Sequence, residues 1–291
     1  MLVSNVVSWT FFVYGTNIRA YRNTELLKNK LKYFRRLLSL QSSVSNDAVL
    51  GECGRNRIYT NCIYKCIKYW TKILQMDHER LPKQTYKMLL KLDGVGRTSW
   101  VTNVKNVLFQ YGFGYVWMSQ YVGHVDVFLS EFKQRVRDSA IQTWHTSVIS
   151  NSKLYAYSLF KSSLTVEHYL LHVNQLIFRQ ALSKFRCSCH SLMIEKGRHL
   201  NMDYEDRLCS YCYRCGINEV ENEYHFLLVC GAYTNLRSKY LKPRYNSNPT
   251  YNKFVELLSC ECKISLLALS KYVYFAMKQH SLQSSCMIHQ L

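Results

Sequence analysis

The sequence predicts a mainly α-helical, bundle-like protein, and three observations carry that prediction. Only three prolines and eleven glycines punctuate 291 residues, which favours long helices over a turn-rich β fold. Apolar residues recur at three- and four-residue spacing in segment after segment, the period of a helix with one buried face. The hydrophobic content of 48% can support a real core, in one large domain or two small ones at this length.

In order, FFVYGTNIRA at 11–20 has the character of a first buried strand or helix. From Asn23 a helix signal is clear: Thr24 can cap, and Leu27, Leu31, Phe34 and Leu38 share a stripe. Lys28, Lys32 and Arg35 line another face, flanked by Lys30 and Arg36, with Glu25 the only acid between Arg22 and Arg36. Such a run is either a solvated face or a phosphate-contacting helix.

Ile58, Cys62, Cys66, Tyr69 and Ile73 make the next apolar stripe. It reads both cysteines as core thiols and Trp70 as core rather than a base-stacking platform. Pro82 opens a helix over 82–92 that ends at Asp93-Gly94-Val95-Gly96, a stop and turn lacking the third glycine and preceding strand of a phosphate loop. Trp100, Val104, Val107, Leu108 and Tyr111 predict a helix that YGFGYVW breaks as a packed loop.

A long amphipathic helix is expected over 123–149, with Phe128, Phe132, Val136 and Trp144 on its apolar side. After a polar break at 150–153 come a short helix and a long one over 167–185. Leu170, Val173, Ile177 and Leu182 of the latter face a core, and Arg179, Lys184 and Arg186 gather toward its end, where cations suit the helix dipole. Helices over 251–260 and 264–279 close the chain after Pro243 and Pro249, the second with Leu266, Leu269, Val273 and Met277 on one stripe.

Between these elements stands CYRCGINEVENEYHFLLVC, in which Cys212, Cys215, His225 and Cys230 have the arrangement C-x2-C-x9-H-x4-C. That is a metal-ligand spacing: two thiolates on a tight turn bind one side of a tetrahedral ion, and a histidine and a cysteine about one helical turn apart close the other. Three sulfurs with one imidazole match zinc, and four protein ligands make the site structural, a small zinc knuckle near the C-terminus. Cys209 offers the alternative set Cys209, Cys212, His225 and Cys230; Gly216, placed where a knuckle turn wants positive φ, favours Cys215. Cys187, Cys189 and His190 have no matching distal pair and are left unassigned.

The string RLCSYCYRCGINEVENEYHFLLVCGAYTNLRSKYL resembles the cysteine-rich segment that follows the reverse transcriptase in non-LTR (LINE-like) retrotransposon polyproteins. Its acidic cluster (Glu219, Glu221, Glu223), His225-Phe226, Cys230, Tyr233 and Arg237 ahead of a basic stretch carry the likeness. FFVYGTNIRA looks like the end of that family's polymerase portion. Gly51 to Arg55 and His190, Leu192, Ile194-Glu195 and Gly197-Arg198 resemble the segments between. The similarity covers roughly residues 10–280, is most specific at 205–242, and implies a zinc-knuckle-like module associated with nucleic-acid binding. Cys209 departs from the family's simple pattern.

The formal net charge of +19 points to a polyanionic partner, nucleic acid first and an anionic membrane surface second. Besides Lys28, Lys32, Arg35 and Arg36, the cluster Arg237, Lys239, Lys242 and Arg244 beside the metal ligands is a candidate contact. Twelve cysteines in a chain this long fall below the density of a disulfide scaffold. Residues 1–18 lack the basic opening of a signal peptide and are too short an apolar run to span a bilayer. The expectation is therefore an intracellular protein, nuclear or cytoplasmic, in whose reducing interior clustered Cys and His mean metal.

No paired aspartates of a polymerase palm, no serine-hydrolase elbow, no phosphate loop and no HExxH stretch is present. The expected organisation is a helical region at 1–200, a knuckle module with its basic cluster at 201–245, and C-terminal helices at 246–291. The expected function is non-catalytic, sequence-nonspecific RNA or DNA binding, with no membrane and no small-molecule substrate. The alternative is a zinc-stabilised helical scaffold for protein partners.

Overall fold

The computed structural model describes residues 24–288, so the FFVYGTNIRA stretch lies outside the described residues. Those residues are mainly helical, and pairing outside helices is limited to two isolated antiparallel bridges, Cys53 with Val166 and Leu208 with Val220. The chain divides into two compact units. One holds Asn56–Thr143 with the first helix through Lys30, and the other holds Leu31–Arg55 with the chain from Trp144 on. The segment expected as one region over 1–200 is thus shared between both, and residues 201–245 belong to the same unit as 144–200 and the closing helices.

In the first unit, helices Ile58–Leu74, Leu81–Gly94, Trp100–Gln110 and Gly114–Ser119 and the first half of Val125–Ser150 surround one core. On Ile58–Leu74 the buried stripe is Ile63, Cys66, Ile67, Trp70 and Ile73, which keeps Cys66 and Ile73 of the expected stripe, while Cys62 and Tyr69 are half-buried at its edge. Burial pushes the Cys66 thiol up to about 12, as suits a core thiol. Trp70 is buried, lies over Trp117 with centroids 6.1 Å apart, and donates from Nε1 to the Tyr86 hydroxyl at 2.9 Å. Leu81–Gly94 ends at the predicted stop, with Gly96 at φ +81°, where a side chain would be strained. Ser99 and Thr102 then form a capping box for Trp100–Gln110. YGFGYVW is a turn at Gly112 followed by a short helix, through which Phe113, Val116 and Trp117 enter the core.

The second unit is organised on the long helix Lys263–Ile288, which packs most extensively on Leu176–Arg186 and also on His168–His172 and Thr234–Tyr240. Leu266, Leu269 and Val273 are buried as expected, together with Tyr272 and Ala276. The helix expected over 167–185 is instead two, His168–His172 and Leu176–Arg186. The apolar residues explain the break. Tyr169, Val173, Phe178 and Leu182 are buried, and the five-residue step from Val173 to Phe178 cannot stay on one helical face. Ile177, expected in the core, is exposed.

Arg186 is not a surface cation at a helix end. It is buried, bonded to both oxygens of the buried Glu52 (3.0 and 3.1 Å), paired with Glu167 (2.6 Å), and laid over the rings of Phe160 and Tyr169. Glu52 reaches it because Gly51 lets the helix Asn46–Glu52 close on Trp144 and Tyr157, both of which a Cβ there would strike. Gly54, at φ +57°, lies against the backbone of Val166. Gly-Glu-x-Gly at 51–54 is therefore a packing motif. Removing one partner of such a buried pair costs about 3–5 kcal/mol, since the other charge is left stranded.

Candidate metal centre

The second unit contains a buried cluster of four potential ligands, Cys209, Cys212, His225 and Cys230, whose donor atoms all lie within 4.8 Å of one another. Cys209 Sγ and Cys212 Sγ stand 3.8 and 3.9 Å from Cys230 Sγ, and Cys212 Sγ stands 3.4 Å from His225 Nε2. The expected set differs by one residue, because Cys215 is exposed and is not among the four.

Local structure explains that difference. The Leu208–Val220 bridge brings the two sides of the loop together, and the Cys209 N–H donates to the Glu219 carbonyl at 2.8 Å. Cys209 then sits just before the helical turn Ser210–Arg214, with Cys212 three residues on along the same side. Cys215 caps the far end of that turn, and Gly216, at φ +75°, turns the chain away from the cluster.

The other two ligands depend on a rarer element. His225–Val229 is a π-helical turn in which the Cys230 N–H donates to the His225 carbonyl at 2.8 Å. Five residues in an α-helix end about 140° apart around the axis, whereas an i→i+5 hydrogen bond returns them to one side. H-x4-C is thus served by a π turn, not by the expected helical turn. The wider turn leaves carbonyls without helical partners, and two buried side chains take them. Tyr272 Oη donates to the carbonyls of Phe226 and Leu227, both at 3.1 Å. Arg237 donates to Leu227 O at 3.1 Å and Cys230 O at 2.9 Å.

The acidic cluster splits the same way. Glu219 is exposed, whereas Glu221 accepts from the Met193 N–H (2.7 Å) and meets His280 (3.1 Å), and Glu223 meets Ser188 and His190, each at 3.2 Å. Burial would raise the Glu223 carboxyl, but His190 and Ser188 hold it below its ordinary value. His190, unassigned from sequence, is thus the partner of Glu223. His280, fifty residues beyond Cys230, carried no sequence signal.

The charge state of the four ligands bears on what they can hold. Hydrogen bonding from Cys230 lowers the Cys209 thiol, whereas burial and the neighbouring Cys209 raise Cys212, and Cys209 raises Cys230 as well. Each thiolate in the cluster thus disfavours the next. A cation at its centre removes that resistance, so the four residues could hold a metal ion.

The expected nucleic-acid residues have different fates. Lys32, Arg36, Lys239 and Lys242 are exposed. The side chain of Lys28 lies outside the described residues. Arg35 is tied to Val44 O (2.8 Å) and Asn46 Oδ1 (2.6 Å). Arg237 is buried on the π turn and reaches no surface. Arg244 is exposed but lies over the Tyr245 ring and pairs with Glu256. One basic face was missed: Lys65, Lys68 and Lys72 are all exposed on Ile58–Leu74, a helix with no acidic residue. Their spacing of three and four was the signal.

Compared with known proteins, the chain matches no family model, no curated protein and no solved structure. No helix among the described residues is long and apolar enough to cross a membrane.

Proposed function

We propose that this chain is a zinc-stapled helical protein that binds RNA or DNA without sequence preference and without catalysis, related to the post-polymerase region of non-LTR retrotransposon reverse transcriptases. Supporting zinc are the three thiols and one imidazole, the donors it prefers, which leave no position for a substrate water. A tetrahedral ion with sulfur at about 2.3 Å and nitrogen at about 2.0–2.1 Å separates its ligands by about 3.8 Å (S to S) and about 3.5 Å (S to N). The cluster's spacings of 3.8, 3.9 and 3.4 Å match these.

The observation that carries the nucleic-acid reading is the charge of +19 together with exposed, acid-free basic faces such as Lys65, Lys68 and Lys72. Lysines on such faces neutralise phosphates and release counterions. The lineage rests on the residues around the cluster, since the comparisons supply no relative.

The test is purification under reducing conditions, zinc quantified per chain, and titration of a labelled single strand across a salt series. One zinc per chain is expected, with log affinity falling linearly in log salt by about 0.7 per phosphate contact. Zinc with no strand binding at low salt favours the protein-partner scaffold, for which exposed Tyr115, Met118 and Tyr121 would be the contact. Absence of zinc defeats the reading at its base.

A further inference from the structure

The positive charge of this chain does not accumulate in the metal segment. Residues 201–245 hold six cations, Arg207, Arg214, Arg237, Lys239, Lys242 and Arg244, against six acids, all between Asp203 and Glu223. A dication bound by three thiolates would add one further negative charge. Most of those cations are also engaged within the fold. Arg237 is buried on the π turn, Arg207 donates to the carbonyls of Met202 and Ile194, Arg214 donates to the Ser210 carbonyl, and Arg244 pairs with Glu256.

The helix Ile58–Leu74 of the first unit is the opposite case. No acid stands between Glu52 and Asp77, a stretch that holds five cations. Lys65, Lys68 and Lys72 are exposed, and at 3.6 residues per turn they fall within about 60° of one another, on the side away from the buried Ile63, Cys66, Ile67 and Trp70. None of the three pairs with an acid among the described residues. Beside this strip, Lys133 of Val125–Ser150 lies 5.7 Å over the Tyr64 ring, and the exposed Arg137 follows four residues on along the same side of its helix. Both tyrosines that flank the strip are engaged: Tyr64 is half-buried under that ammonium, and Tyr69 is half-buried against Trp100, with centroids 6.1 Å apart. The face presents charge without an open stacking platform.

We propose that this face of the first unit, and not the metal segment, is where nucleic acid binds, and that it grips the phosphate backbone of a duplex. Lysines aligned on a rigid helix position phosphates and read no base. With no ring free to stack an unpaired base, a single strand gains nothing here that a duplex lacks. The duplex offers one charge per about 1.7 Å of its axis, against one per about 3.4 Å for either strand, so the same strip meets more phosphates on it. The inference rests on the nucleic-acid reading above and assigns it a surface and a form of partner.

The experiment titrates a labelled duplex, and one of its strands alone, into the full chain across a salt series. The duplex is expected to bind tighter. Lys65→Ala, Lys68→Ala and Lys72→Ala together, exposed changes to the best helix former, should flatten the log–log salt slope for the duplex by about 0.9 per lysine removed. Lys239→Ala with Lys242→Ala, beside the metal ligands, should leave that slope unchanged. An unaltered slope in the first variant, or a slope lost in the second, overturns the assigned surface and leaves nucleic-acid binding standing. Tighter binding of the single strand overturns the choice of a duplex. No salt-dependent binding of either overturns the nucleic-acid reading itself.

Discussion

At the residue scale, the choice between Cys209 and Cys215 turns on geometry rather than spacing. Both make a C-x2-C pair with Cys212, and the pattern alone allows either. The Leu208–Val220 bridge and the Cys209–Glu219 hydrogen bond decide it, by joining residues on opposite sides of the loop. Cys209→Ser is therefore expected to abolish stoichiometric zinc, while Cys215→Ser keeps one ion per chain, as elemental analysis of the purified variants would read. The reverse result would assign the ligand to the exposed cysteine. The motif itself was legible because ligand type and count are local facts. The non-local pairing that selects among five candidates was not, and Arg237 was misplaced for the same reason. An arginine after a cysteine motif reads as a surface cation until the carbonyls it binds at 2.9 and 3.1 Å are in view.

At the scale of elements, most helices were legible as apolar periodicity, and the departures have nameable causes. The five-residue step from Val173 to Phe178 splits an expected helix, and the five-residue step from His225 to Cys230 demands a π turn. In both, the signal was a count that does not fit 3.6 residues per turn. The π turn carries a testable consequence, since the carbonyls that it frees are held by Arg237 and Tyr272. A buried acceptor left unfilled costs about 1–3 kcal/mol, and loss of a group that orients metal ligands lowers metal affinity about 10–100-fold. Tyr272→Phe keeps the ring and removes only the hydroxyl, so it should lower thermal stability modestly and weaken zinc in competition with a chelator. Arg237→Ala, which frees two carbonyls and leaves a void, should do both more strongly. Stability lost with unchanged zinc affinity would uncouple the turn from the metal.

For the whole molecule, the two cores predict a divided response to losing the proposed ion. All four candidate ligands belong to the unit whose core runs from Leu31 to Cys53 and from Trp144 to Ala276, and Cys209, Cys212 and Cys230 are themselves part of that core. The core of Asn56–Thr143 contains none of them. Metal-binding free energy is folding free energy where the ligands meet only in the folded state, and cooperative units of one chain open at different free energies. Chelation should therefore raise amide hydrogen exchange first around the π turn and the helices packed beside it, Thr234–Tyr240, Leu176–Arg186 and Lys263–Ile288. Protection on Ile58–Leu74 and Trp100–Gln110 should persist. Exchange that rises equally in both units would mean that the ion supports the whole chain. Exchange that rises in neither would mean that Glu52, Arg186 and the apolar core hold the second unit without it. The expected outcome lies between these, because all four residues lie in the second unit and two of them, His225 and Cys230, are presented by one π turn that the ion would tie to the Cys209–Cys212 side of the loop.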